Sequence, residues 1–264
     1  MSQILSAIAS IGMVYLTAEA EHLERLFAEL RDEPGYTVSG PKVSIIVPTH
    51  NEEKYIPNLL RSLEKQTYRN FELVVADWSS TDRTREIVRS WGRETGVDVT
   101  VVEVDRRGVG YACWLAEQHL SGEIVVRTDA DTMWSPYLLE TTVRTLLQRP
   151  ELRLYWVAFT WYDADPITTL FTWVTRHFRD PCRPHGRFMA VRAEVKKVRS
   201  IFNPSADVGE DVEVGEWICR EFGKNAVLYD RDRAIFTSAR RLYAAGVIPY
   251  LAGLEFKRGF PPRR

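Results

Sequence analysis

Lys42–Val88 reads KVSIIVPTHNEEKYIPNLLRSLEKQTYRNFELVVADWSSTDRTREIV, and its rhythm decides the fold. VSIIVP (43–48) is an apolar run short enough for a buried strand, and FELVVAD (71–77) is a second. Between them, residues 54–66 carry apolar residues at helical spacing, and 82–91 read as a second helix. The pattern continues outward. VDVTVVEV (97–104) is a third strand, 110–120 a third helix and EIVVRTD (123–129) a fourth strand. Strands alternating with helices mean βαβ units and a parallel sheet.

Beyond Pro150 the character changes. Residues 152–178 hold eight aromatics, among them Trp156, Phe159, Trp161 and Phe171. GRFMAVR (186–192) reads as a strand and 211–222 as a helix, so this half is mixed α/β. No Gly/Ser linker divides the halves, so one continuous body is expected, with 41–150 and 151–242 as its two parts. Ahead of it, residues 1–40 form an N-terminal extension. There 19–30 place Leu23, Leu26, Phe27 and Leu30 at helical spacing. Behind it, 243–264 form an apolar and then basic tail.

The 264 residues are 45% hydrophobic and 27% charged, with a formal net charge of −1. Such a composition excludes bulk disorder, and it lacks the basic footprint of a nucleic-acid binder. Residues 231–264 nonetheless hold eight Arg/Lys against Asp232 and Glu255. Cys113, Cys182 and Cys219 are too few for a disulfide framework, and none form CxxC. A reducing, cytoplasmic compartment is the corresponding expectation. The first Arg is Arg25, so the uncharged N-terminus lacks the basic start of a secretory signal. Its apolar heart, 4–16, is shorter than the roughly 20 residues a membrane span needs.

In open parallel sheets, ligands bind beyond the carboxyl ends of the strands. Strand one ends in Pro48-Thr49-His50-Asn51-Glu52, strand two in Asp77, and strand four in Asp129-Ala130-Asp131. Ser80-Thr81-Asp82 also suits a helix N-cap, whereas Asp77 precedes the cap and faces the cleft. Asp-x-Asp is weak alone: among 14 Asp it occurs three times, at 129/131, 163/165 and 230/232. Placement selects Asp129/Asp131, at the end of a central strand. Asp163/Asp165 precede Pro166 and a helical stretch, where a turn and cap is the simpler role. A carboxylate pair at i and i+2 suits Mg²⁺ or Mn²⁺, which take one or two carboxylates plus substrate phosphates. No Walker A sequence is present, and Gly108-Val109-Gly110 reads as a tight turn before a helix.

Taken together, these residues resemble the opening of family 2 glycosyltransferases, which have the GT-A fold. There a strand ending in Pro-Thr-x-Asn-Glu precedes one ending in Asp-Asp-Gly-Ser-Thr-Asp. Here the second reads Asp77-Trp78-Ser79-Ser80-Thr81-Asp82, so Trp78 and Ser79 depart from the pattern. Asp129-Ala130-Asp131 matches the family's Asp-x-Asp, GRFMAVRAEV its acceptor-side strand with Arg187, and Gly209-Glu210-Asp211 its Glu-Asp motif. The resemblance covers about residues 42–242. It implies an α/β GT-A fold: a Rossmann-like, mostly parallel central sheet flanked by helices, with a mixed acceptor half.

It further implies a hexosyltransferase-type enzyme, moving a sugar from a nucleotide-diphosphate donor to a glycan, glycolipid or polyprenol-linked hydroxyl, with inversion. Donor contacts fall on Pro48, Thr49, His50, Glu52, Asp77, Asp129, Ala130 and Asp131. Asp131, with Asp129, would hold the metal. Asp211 would be the base, with Glu210 and Arg187 on the acceptor side. Arg240 or Arg241, in Ser238-Ala239-Arg240-Arg241, would reach the diphosphate from a mobile loop, since Arg forks match phosphate oxygens. His50 and His185 sit beside these motifs and are expected to be hydrogen-bonded rather than ligating. Other readings stay open: a retaining transferase, a sugar nucleotidyltransferase, or a non-catalytic nucleotide- or carbohydrate-binding protein. The apolar segments 4–16 and 242–254, the latter followed by Lys257, Arg258, Arg263 and Arg264, suit peripheral membrane contact as well as internal packing. Segment 4–16 equally suits a homodimer interface. Under the membrane reading, the site lies at the cytoplasmic face.

Overall fold

The computed structural model describes residues 40–245. The proposed N-terminal helix, the segment 4–16 and the tail beyond Ala245 lie outside these residues. The elements are β1 (Val43–Thr49), α1 (Ile56–Glu64), β2 (Phe71–Trp78), α2 (Thr84–Thr95), β3 (Val99–Val104), α3 (Val109–Glu117) and β4 (Ile124–Thr128). A short β5 (Thr132–Met133), α4 (Leu138–Gln148), β6 (Leu154–Trp161), α5 (Pro166–Thr175) and β7 (Phe188–Arg192) follow. The last are α6 (Glu210–Phe222), β8 (Val227–Thr237) and α7 (Arg240–Ala245).

All eight strands join one sheet in the order β3-β2-β1-β4-β7-β6-β8-β5. β3, β2, β1 and β4 are parallel. β7 runs antiparallel to both β4 and β6, while β6 and β8 are again parallel. The sheet therefore passes without a break from the first half into the second.

Alternation along each strand sends side chains to opposite faces. Val43, Ile45 and Val47 of β1, with Leu73 and Val75 of β2, pack on α1, α2 and α4. Ile46, Val74 and Ala76 face the other side, against Ala112 and Ala116 of α3 and Trp217 and Ile218 of α6. In α1, Leu59 and Leu63 are fully buried, each contributing about 1.5–3 kcal/mol by removal from water. Leu63→Ala would cost about 2–5 kcal/mol. Pro57 starts that helix, and Gly96 at φ 72° ends α2. With both faces covered, the carboxyl edge of the parallel strands is the polar edge left to build a site.

Candidate active site

At the ends of β1 and β2, two loops are knitted together. The buried Asp77 carboxylate accepts from Thr49 Oγ1 at 2.9 Å, Ser80 Oγ at 2.5 Å and the Ser80 backbone N–H at 3.1 Å. Arg85 Nε lies 3.4 Å away. Asn51 donates its N–H to Ser80 Oγ and accepts from the Thr81 N–H through Oδ1, both at 2.8 Å. The Glu52 N–H donates to Thr84 Oγ1, so Glu52 is fixed at the first turn of α2. Pro48 is half-buried in β1, opposite Ala76. His50 Nδ1 donates to the Trp78 carbonyl at 2.5 Å, and its ring lies 4.3 Å from that indole.

Asn51 and Ser79 adopt φ of 54° and 49°, a left-handed conformation that costs a residue with a Cβ. Ser79 stands where the family pattern has Gly, so the substitution has left the turn in place and added strain. These loops border a cleft of about 460 Å³ lined by Asp77, Ser80, Arg85, Glu103 and Asp105.

β4 delivers the next group. Arg127, buried in the strand, donates Nη1 to Asp129 Oδ1 at 2.5 Å and Nη2 to Glu210 Oε1 at 2.8 Å. Nη1 also reaches the Gly186 carbonyl. Burial alone would raise the Asp129 carboxyl, but Arg127, Arg241 and Arg187 outweigh it and hold it well below the usual range. Burial pushes Glu210 up to about 7 against the pull of the same guanidinium. One cation thus serves the half-buried Asp129 and the buried Glu210, and Asp129 keeps its charge more readily. Sequence reasoning missed Arg127. Its signal is a charge inside the otherwise apolar run EIVVRTD.

Asp131 is buried, as is the neighbouring Ala130. Arg240 Nε meets Asp131 Oδ2 at 2.8 Å, and Arg240 Nη2 meets Glu52 Oε1 at 2.7 Å. The guanidinium also stacks 4.1 Å from the Tyr55 ring centroid. Arg241 Nη1 is 4.0 Å from Asp129 Oδ2. The two DAD sequences have separate jobs. Asp165 caps α5 by accepting from Ile167 N and Thr168 N. Asp163, expected in a solvated turn, instead accepts from Ser238 Oγ and the Ala239 N–H and so holds the start of α7.

The second half of the chain meets this edge through β7. Gly186 sits against the Arg127 guanidinium so closely that no Cβ would fit. Its N–H donates to Asp211 Oδ2 at the first turn of α6, behind Gly209 at φ 77°. Arg187 lies 4.1 Å from the Phe159 ring centroid and 5.1 Å from that of Trp161. His185 is buried between Trp156 and Phe159, and burial holds it neutral, well below its ordinary pKa. Neither ring nitrogen has a hydrogen-bond partner among the described residues. The described residues contain no group of three or more His, Cys, Asp or Glu able to hold a metal. What they offer is the buried Asp131 carboxylate, with Asp129 two residues away and the buried Glu52 Oε2 without a hydrogen-bond partner. This set fits a hard divalent ion that takes its remaining ligands from phosphate oxygens and water.

The cysteines correct an expectation. Cys182 and Cys219 form a disulfide across 37 residues, with Cα atoms 6.0 Å apart. The fold brings the segment before Gly186 onto α6, where Gly215 lets Cys182 and Pro184 approach the helix backbone. A count of three could not reveal a single bridge, and it no longer argues for a reducing compartment. Only Cys113 is free, and it is buried. No described helix is long and apolar enough to cross a membrane.

Curated relatives match about a third of this chain. Poly(ribitol-phosphate) beta-N-acetylglucosaminyltransferase TarS of Staphylococcus aureus is 41% identical over 92 residues, 34% of this chain and 16% of its own length. 4,4'-Diaponeurosporenoate glycosyltransferase of Staphylococcus haemolyticus is 42% identical over 94 residues, 34% of this chain and 24% of its own. The chain thus spans a quarter or less of these relatives. Among solved structures, the mannosyltransferase PcManGT of Pyrobaculum calidifontis, in complex with GDP-Man and Mn²⁺, superposes with a TM-score of 0.61. It is 23% identical over 97% of this chain and 77% of that one. Crystalline S. aureus TarS 1-349 gives a TM-score of 0.58 at 20% identity, over 76% of this chain and 62% of that one. These likenesses establish the GT-A fold. The family model of Glycosyl transferase family 2 matches residues 44–189, more than half of the chain. With the strand-end motifs, the mixed sheet and this match all in agreement, the chain belongs to glycosyl transferase family 2.

Proposed function

We propose that the chain moves a sugar from a nucleotide-diphosphate sugar to an acceptor hydroxyl, with inversion and with the aid of Mn²⁺ or Mg²⁺. One observation carries this reading: Arg127 pairs with Asp129 and reaches Gly186, whose N–H holds Asp211. A carboxylate suited to take a proton is thereby tied to the pair suited to a donor diphosphate. The metal ions and nucleotide sugars of PcManGT and of a Mycobacterium tuberculosis glucosyl-3-phosphoglycerate synthase complex (Mn²⁺, UDP-glucose) support the donor half.

In this reading Asp77, fixed by Thr49 and Ser80, borders the pocket for the base. Asp131, with Asp129 alongside, would hold the ion, which supplies charge neutralisation at the leaving diphosphate. Arg240 moves from Asp131 and Glu52 to the diphosphate, with Arg241 beside it. Asp211 removes the acceptor proton as the hydroxyl attacks. Glu210 and Arg187 orient the acceptor. Thermal shift with UDP, GDP and their sugars, with and without Mn²⁺, tests the donor half. Stabilisation by one nucleotide that requires the metal is expected, and no shift with any of them overturns the reading.

A further inference from the structure

Helix α5 is amphipathic the wrong way round for a helix in water. Its ten residues, PITTLFTWVT, contain no charge. Thr168 and Thr172 face inward and are buried, satisfied by hydrogen bonds: Thr168 Oγ1 to Asp165 Oδ2 at 2.6 Å, and Trp161 Nε1 to Thr172 Oγ1 at 2.8 Å. Ile167, Phe171 and Val174, continued by Phe178 in the following 3₁₀ turn, face outward at 58, 46, 43 and 84% exposure. Their spacing of i, i+4, i+7 and i+11 makes one stripe. A surface helix ordinarily shows the reverse arrangement.

We infer that this stripe is a docking face for an anionic lipid bilayer. The charges around it favour that occupant. Between Pro166 and Pro184 the chain carries Arg176, Arg179 and Arg183 against Asp180. Arg176 is buried and Arg183 pairs with Glu216, so Arg179 is the cation this segment brings to the stripe. At the other end, Tyr243 of α7 hydrogen-bonds Asp165, the α5 cap, so the chain leaves the described residues beside the stripe. Its sequence then runs GVIPYLAGL (246–254), uncharged, to Lys257, Arg258, Arg263 and Arg264. An apolar strip with cationic flanks binds in the plane of a negatively charged membrane surface. Ten helical residues rise about 15 Å, too short to cross.

Trp161 ties the helix to that side of the site: its Nε1 donates to Thr172 of α5, and its ring centroid lies 5.1 Å from Arg187, next to Gly186, the partner of Asp211. A docked α5 therefore sets the acceptor side of the site at the lipid surface, which favours a lipid-linked acceptor. That last step rests on the transferase reading, whereas the docking does not.

The test is co-sedimentation of the full chain with phosphatidylcholine vesicles containing about one-quarter phosphatidylglycerol. Phe171→Glu/Phe178→Glu is the variant, and Leu147→Glu, at another exposed apolar position, is the control. Wild type and control should pellet, and the double variant should lose roughly tenfold or more in partitioning. If the glutamates prevent a cooperative melt, Phe171→Ser/Phe178→Ser replaces them. Equal pelleting of variant and wild type overturns the proposal, as does a wild type that never pellets. So does a wild-type dimer that the double variant makes monomeric, since the stripe would then belong to a second copy. The nucleotide thermal shift is read on the same samples. Its absence with normal pelleting removes the transferase reading and leaves the docking face standing.

Discussion

The Arg240 guanidinium sits on the Asp131 carboxylate, Nε to Oδ2 at 2.8 Å. A guanidinium cation thus occupies the carboxylate proposed to hold a metal, and it competes with any ion arriving there. Removing it should separate two affinities. Arg240→Ala should bind Mn²⁺ alone more tightly than the wild type, and bind the nucleoside diphosphate roughly tenfold more weakly, the scale of one charge-assisted hydrogen bond. Calorimetric titrations with each ligand measure both. A fall in both affinities would mean that Arg240 only holds the site together.

Asp131→Ala should abolish divalent-dependent nucleotide binding. Asp163→Ala should keep that dependence, because Asp163 faces Ser238 and Ala239 and not the Asp129/Asp131 pair. It is not expected to be silent: it releases the start of α7 and should slow transfer. Loss of the metal response in Asp163→Ala, with Asp131→Ala unaffected, would exchange their roles.

Asp211→Asn keeps the side-chain shape and an oxygen for the Gly186 N–H, but it removes the proposed base. Donor Kd should stay near normal, while transfer falls by roughly two orders of magnitude or more. If Asp211 merely stabilises the start of α6, Asn serves as well and activity hardly changes. Steady-state rates at saturating acceptor distinguish the two.

Ser79→Gly should stabilise the protein. A left-handed non-glycine costs about 1–2 kcal/mol, of which glycine's extra chain entropy returns about 0.5–1. A net gain of about 0.5–1 kcal/mol should appear as a higher urea midpoint with unchanged slope. The other strained residue, Asn51, uses its side chain to hold Thr81, so glycine there should not help.

Glu72 gives the fold an acid limit. Burial alone would raise its carboxyl, but Lys42, Ser44 and Ser121 hold it at about 2. The unfolded chain, with an ordinary value of about 4.3, takes up the proton first as pH falls. This contribution is therefore whole above about pH 5 and drains away as pH drops toward the folded value. Urea midpoints of Glu72→Gln should lie below wild type at pH 7 and converge with it at low pH. Parallel curves would assign acid sensitivity elsewhere.

The strands and helices up to Asp129 were legible because both faces of that half are buried, so its strands read as apolar runs. β8 was not. VLYDRDRAIFT has four charges at its centre, and the register shows why they are tolerated: Val157 pairs with Asp230 but Ala158 with Ala234, so residues 231–233 bulge out of the ladder. β6 was hidden among aromatics, which suit a strand or a buried helix equally. The polar strand ends were readable from position alone. Arg127, the Arg240 contact with Asp131 and the Cys182–Cys219 bridge each depend on chain segments far apart in sequence, and no spacing rule reaches them.

β4 has β1, of the proposed donor side, on one edge and β7, of the proposed acceptor side, on the other. Thr128, just before Asp129, pairs with Phe188, just after Gly186 and Arg187. The offset between the two halves of the site is therefore one interstrand step, about 4.8 Å, fixed by backbone hydrogen bonds and not by any side chain. The sheet acts as a ruler. Loops at either edge can change while the spacing between the proposed donor and acceptor sides stays the same.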